Sequence, residues 1–169
     1  MSRAIVMFGF IAAFVVTPAV AQDRPGPAVE FSAGALLFAD DSVVTEPFVG
    51  GAGRFYVSPR VSVGPEIAFI SGDNHSHSMV TGNVTFDLLS PLPTGPRTVT
   101  PFFVVGGGWF QTREQFLNNE TFTSTEGAFT AGGGVRAHVS RRLFVGAEAR
   151  VGWELHLRLN AIAGLTFGR

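Results

Sequence analysis

Leu143-Phe144-Val145-Gly146-Ala147-Glu148-Ala149-Arg150-Val151-Gly152-Trp153 is the stretch that decides the fold. Its odd positions are Leu, Val, Ala, Ala, Val and Trp, and its even positions carry Glu148 and Arg150 between small residues. Successive side chains of a β-strand point to opposite faces, so this period of two gives one apolar face and one charged face. The segment that follows repeats the pattern. Leu157, Leu159, Ala161, Ala163, Leu165 and Phe167 share one face, and Arg158, Asn160, Gly164 and Thr166 share the other. Further upstream, Val80, Val84, Phe86 and Leu88 oppose Thr81, Asn83, Thr85 and Asp87.

No stretch after residue 27 carries a convincing helical period. The alternation predicts an all-β chain of eight antiparallel strands at residues 28–39, 47–58, 60–71, 78–90, 98–113, 126–139, 142–154 and 157–167. Ser58-Pro59-Arg60 and Ser140-Arg141-Arg142 read as tight turns at one end, with a longer connection at 90–98. Residues 40–46, 72–77 and 114–125 read as longer loops at the other end, with a short one around 154–156.

Two kinds of barrel could use this pattern. In a soluble, ligand-binding barrel the apolar face points inward. In a transmembrane barrel it meets lipid, and the polar face fills the lumen. Several predicted strands have about ten to thirteen residues, the length that a tilted spanning strand needs. The apolar face is rich in Ala and Gly, too thin to fill a soluble core well.

The aromatics agree when the strands are threaded up and down. Phe38, Phe48, Phe69, Trp109, Phe110, Phe129 and Trp153 fall near the outer end. Phe31, Phe55, Tyr56, Phe86, Phe102, Phe103, Phe144 and Phe167 fall near the inner end. Aromatics are favoured at both bilayer interfaces. Trp109, Phe129 and Trp153 are the candidates for the outer belt, and Phe86, Phe144 and Phe167 for the inner one. Tyr56, Phe38, Phe110 and Phe144 nevertheless fall on the polar face by parity. Val145, Ala147 and Val151 are expected to face lipid.

Composition points the same way. Of 169 residues, 15% are charged and 21 are Gly; soluble domains average roughly 25% charged residues and roughly 7% Gly. The chain has no Cys, and all 12 basic residues are Arg. That excludes a Walker-A or Schiff-base lysine, a thiol nucleophile and a disulfide framework. A formal charge of −1 offers no basic footprint for nucleic acid.

The N-terminus reads as an export signal. Met1-Ser2-Arg3 is followed by the uncharged run Ala4 to Val16, then Thr17-Pro18 and the small-residue site Ala19-Val20-Ala21. The expected organisation is a cleavable signal peptide at 1–21, a short periplasmic arm at 22–27 and the barrel at 28–169.

Residues 50–67 (GGAGRFYVSPRVSVGPEI) align without gaps to 132–149 (GGGVRAHVSRRLFVGAEA). The shared pattern is G-G-x-x-R-x-x-V-S-x-R-x-x-V-G-x-E. The offset of 82 residues spans four strands, so the two hairpins are expected on opposite walls. Taking each turn as centred on Arg60 or Arg142 pairs Arg54 with Glu66 and Arg136 with Glu148 across their hairpins. Glu30, Asp87 and Arg150 join them in an expected lumen charge network. Buried charges must pair, so the expected lumen is plugged.

These features together resemble the small OmpA/OmpX-type outer-membrane β-barrels: the leader, the alternating strands, the Gly-x-Glu strands with inward charges, and the closing strand Leu157 to Phe167. The resemblance covers the chain after the leader and is architectural. It implies a bacterial outer-membrane location, the lipid bilayer as partner and insertion by the outer-membrane assembly machinery through the C-terminal strand. It also implies a structural or surface-interaction role, with an extracellular partner possible at the outer loops. Phe167 is followed by Gly168-Arg169, a departure from members that end on an aromatic.

Candidate chemistry is sparse. Asp73, His75 and His77 could face one metal ion, but two His and an Asp without a fourth ligand suit a polar outer loop better, and no metal and no cofactor is expected. Some eight-stranded outer-membrane enzymes deacylate lipid A with His, Ser and Glu. Their His-x-Ser spacing does not occur here, which leaves only a His77-Ser78 dyad for an esterase alternative. Gly106-Gly107-Gly108 and Gly132-Gly133-Gly134 lie inside strands and mark close packing. The expectation is a non-enzymatic barrel and not an open porin.

Overall fold

The computed structural model describes residues 24–39, 43–72, 75–89, 99–115, 121–152 and 156–167. Eight strands follow one another: β1 (Ala28–Ala39), β2 (Val43–Tyr56), β3 (Val61–Ser71), β4 (His75–Asp87), β5 (Val99–Gln115), β6 (Thr121–His138), β7 (Leu143–Gly152) and β8 (His156–Thr166). Each is antiparallel to its neighbours, and β1 pairs with β8 to close the barrel. This is the up-and-down closed barrel that the alternation predicts. Closure leaves no sheet edge with unpaired backbone groups, which a bilayer would penalise. Ala28 pairs with Thr166, so the described ends of the chain share one end of the barrel, the inner end.

The outer ends of β2, β4 and β6 begin earlier than the hydrophobic alternation predicts. Glu46, His75 to His77 and Thr121 to Thr125 are strand residues, where the alternation predicts loops. The ladder is made of backbone hydrogen bonds and continues past the point where outward side chains turn polar. The alternation signal stops there because both faces meet polar surroundings.

Face assignments follow parity. On β7, Val145, Ala147 and Val151 are exposed outward, while Phe144, Glu148 and Arg150 are buried inward. On β8, Leu157, Leu159, Ala161, Ala163 and Leu165 point out, and Arg158, Asn160 and Ile162 point in. Charge inside and large apolar side chains outside is the inverse of a soluble barrel. It overturns the soluble ligand-binding alternative.

Trp109 is 66% exposed on the outer wall, and Phe129, Phe86 and Phe167 are also exposed. Phe86 pairs with Val61 at the start of β3, and the Phe167 amide donates to the Pro27 carbonyl at 2.7 Å. Both therefore lie at the inner end. Phe144 corrects the belt assignment: it is only 2% exposed and lies inside. Its ring is 5.8 Å from His138, and a methyl group on Gly164 would overlap it. Its height along the strand suits the belt, but its even parity, shared with Glu148 and Arg150, places it in the lumen. Trp153 lies outside the described residues.

Candidate functional site: the barrel lumen

The internal repeat fixes where the lumen charges start. In both hairpins the turn serine organises the reversal. Ser58 Oγ accepts from the amides of Arg60 (3.4 Å) and Val61 (3.1 Å), and Ser140 Oγ from those of Arg142 (3.3 Å) and Leu143 (3.1 Å). The amides of Val57 and Val139 donate at 2.9 Å to the carbonyls of Val61 and Leu143. The Ser-x-Arg motif thus makes the same turn twice.

That turn also corrects the predicted pairing. Ala52 pairs with Glu66, and Gly134 with Glu148. The reversals are centred on Pro59 and Arg141, one residue earlier than expected. Moving the centre by one residue shifts the pairing by two, which keeps parity and changes partners. Arg136 lies opposite Gly146, and Arg54 does not meet Glu66. The glycine beside each arginine has a reason. A methyl on Gly64 would overlap the Gly53 carbonyl, and one on Gly146 would overlap the Val135 carbonyl.

The two repeat arginines instead meet each other's counter-ions nearer the inner end. Arg54 Nη1 donates to Glu30 Oε1 at 2.9 Å, and Arg136 Nε donates to the same oxygen at 3.1 Å. Arg136 Nη1 donates to Asp87 Oδ1 at 3.1 Å, and Arg54 lies 3.7 Å from it. Tyr56 donates to Asp87 Oδ2 at 3.0 Å, Ser62 Oγ accepts from Arg54, and the Arg136 guanidinium lies 3.5 Å over the Phe102 ring. Two carboxylates neutralise two guanidiniums.

The two repeat glutamates do the same one layer further out. Glu66 accepts from Arg150 Nη1 at 2.9 Å, Arg158 Nη1 at 2.5 Å and Asn83 Nδ2 at 2.6 Å. Glu148 accepts from Arg150 Nη2 at 2.8 Å and Arg158 Nη2 at 3.0 Å. This network is neutral as well. A two-fold repeat brings like residues together at the axis, so the counter-charges come from residues outside the repeat: Glu30 on β1, Asp87 on β4, Arg150 at the end of β7 and Arg158 on β8.

All seven residues of the expected charge network, Glu30, Arg54, Glu66, Asp87, Arg136, Glu148 and Arg150, thus lie in these two networks. Arg158 was missed, although it is 1% exposed and holds both glutamates. Its even position in the closing strand was the available signal.

Between the networks the void has a volume of about 10 Å³, which is space for about one water. Further out, Leu36, Phe48, Ala68, Ile70, Met79 and Phe110 form an apolar layer, and the Arg158 guanidinium lies 5.2 Å from the Phe48 ring centre. At the outer mouth, His75 and His77 approach Glu46. At the inner mouth a cavity of about 340 Å³ reaches Arg54, Asp87 and Arg136.

The His77-Ser78 dyad does not form. The two are adjacent on β4, so they point to opposite faces. Asp73 lies outside the described residues.

The outer membrane protein beta-barrel domain family matches residues 6–163. Among solved structures, Neisserial surface protein A is similar at a TM-score of 0.72 and 10% identity, over 86% of this chain and 100% of that one. The N-terminal β-barrel domain of Pseudomonas aeruginosa OprF is similar at 0.63 and 13%, over 85% and 100%. The attachment invasion locus protein Ail of Yersinia pestis is similar at 0.59 and 9%, over 85% and 99%. No curated protein matches the sequence.

Proposed function

This chain belongs to the outer membrane protein beta-barrel domain family, and on that premise we propose that it is a closed-lumen barrel of the bacterial outer membrane with a structural or surface-interaction role. One observation carries the reading. The lumen holds two neutral networks of two carboxylates and two guanidiniums each, beneath an apolar layer. Eight strands enclose little more than side chains, and here those side chains are locked to one another. Solute flux through such an interior would require breaking buried ion pairs, each costing several kcal/mol. What faces the outside is the rim, so interaction with an extracellular partner falls to the outer strand ends and loops.

In this reading residues 1–21 direct export and are removed, 22–27 form a short periplasmic arm, and the barrel starts at 28. The closing strand β8, with Phe167 beyond it, is what the outer-membrane insertion machinery receives. The lumen has no catalytic duty, since its charges are spent on one another.

The test combines location and conductance. The protein should fractionate with the outer membrane and run faster on gels before heating than after. Reconstituted in planar bilayers, it should show no steady open-channel current of porin size. Such a current from the unmodified barrel would refute the closed lumen.

A further inference from the structure

We propose that Glu46, His75 and His77 form a binding site for a divalent transition-metal ion of the zinc type at the outer mouth of the barrel. The site is assembled by register. β2 brings Glu46 and β4 brings both histidines, with the end of β3 between them. At that point β3 gives way to Gly72, where any side chain would collide with the His75 ring and the Glu46 carboxylate. The glycine lets the carboxylate and imidazole meet across the intervening strand.

The donor geometry suits such an ion. One ligand atom from each of the three residues lies within 4.8 Å of the others. Bonds of roughly 2.0–2.2 Å to a tetrahedral ion put neighbouring ligands roughly 3.3 Å apart. His75 Nε2 is 2.5 Å from Glu46 Oε1, and His77 Nε2 is 3.6 Å from Glu46 Oε2, so each imidazole nitrogen faces one oxygen of the same carboxylate. His77 Nδ1 is 2.9 Å from Thr112 Oγ1. That contact orients the ring with Nε2 toward the carboxylate, as an outer partner does for a metal-bound imidazole.

A second observation points to a ligand. The Glu46 side chain is 4% exposed, yet its Oε2 makes no hydrogen bond among the described residues. A buried carboxylate oxygen without a donor is costly, and a cation there removes the cost. Beneath it the Phe110 and Phe38 rings lie 5.0 and 5.9 Å from the His77 ring and form a dry floor. The His75 side chain is one-third exposed, so water from outside can complete the coordination. Two imidazoles and one carboxylate favour zinc, nickel or copper over calcium or magnesium, which prefer all-oxygen sites.

The experiment uses the full chain refolded in detergent, stripped with a chelator and titrated with Zn²⁺ by calorimetry. The expected result is saturable binding of one ion per barrel. His75→Ala, at the exposed rim, and Glu46→Gln, in the buried position, should each weaken it at least tenfold, with heat-modifiable mobility retained. Should Glu46→Gln fail to fold, His75→Ala decides alone. Co²⁺ should give a visible absorption band in the parent that is lost in His77→Ala. His138→Ala, at the inner end, should bind as the parent does. Absence of saturable binding, or parental affinity in His75→Ala, would overturn the site and leave a hydrogen-bonded His-Glu cluster. Either result is independent of whether the lumen conducts.

Discussion

Replacing Glu148 or Arg158 by alanine is expected to cost about 3–5 kcal/mol each, and replacing both about 1–3 kcal/mol less than the sum of the two. The pair sits in the layer that seals the barrel. Arg158 is 1% exposed and donates to both Glu66 and Glu148. Removing Glu148 leaves Arg150 and Arg158 to share Glu66, so two guanidiniums face one carboxylate away from bulk water. Removing Arg158 leaves Glu66 and Glu148 with Arg150 alone. Each single change breaks neutrality among side chains that are buried in the lumen. The double change restores it, because Glu66 and Arg150 remain as a pair at 2.9 Å.

The same cycle between Arg136 and Glu148 distinguishes the observed register from one shifted by two residues. Had each hairpin paired its own Arg and Glu, those two would couple strongly. Here Arg136 is held by Glu30 and Asp87 and Glu148 by Arg150 and Arg158. Their losses should add more nearly. Urea unfolding of barrels refolded into lipid vesicles measures both cycles. A coupling energy for Arg136 with Glu148 larger than that for Arg158 with Glu148 would show the network to be wrongly drawn.

Most of the architecture is legible in the sequence because a membrane barrel writes its environment into every second residue. β7 and β8 alternate without a break, and their faces follow directly. The signal weakens where the environment does. Ser76 beside the histidines and Thr45 beside Glu46 are polar on the exposed face, which breaks the apolar/polar alternation before β4 and β2 reach these residues. Their meeting depends on register across β3, a property of three strands together, and residues 29 positions apart carry no local trace of it. The charge network shows the same division. Parity told which charges point inward, and the repeat told which walls they start from. The turn centre, which decides partners, hangs on whether Ser58 caps Arg60 and Val61 from a reversal at Pro59 or at Arg60. A serine-led turn is readable as a turn; its centre is a matter of single hydrogen bonds. Phe144 illustrates the remaining ambiguity. Height and parity disagreed for it, and the lumen won because its ring packs beside His138 in space that Gly164 leaves open.

An arginine introduced at Ala161 should cost about 2–4 kcal/mol, whereas the same residue at Ser76 should cost about 0–1 kcal/mol. Ala161 pairs with Ala33 on β1 and with Ala147 on β7, and each of the three lies near the middle of its strand. Ala161 is exposed on the outward face of β8 between Leu159 and Ala163. In a bilayer that position is close to the midplane, where a guanidinium must either lose its hydration or drag water and headgroups inward. Ser76 also points outward, but it lies at the outer end of β4, paired with Ser71. A charge there reaches water without deforming the membrane. The lumen is untouched by either change, so the difference isolates the lipid-facing wall from the salt-bridged interior. Unfolding in lipid vesicles should therefore separate the two variants by at least about 1 kcal/mol. In a detergent micelle, which adapts more easily around a charge, the gap should narrow. Equal stability of the two variants in vesicles would mean that the alanine row does not face hydrocarbon, and the membrane-spanning assignment of β1, β7 and β8 would fall with it.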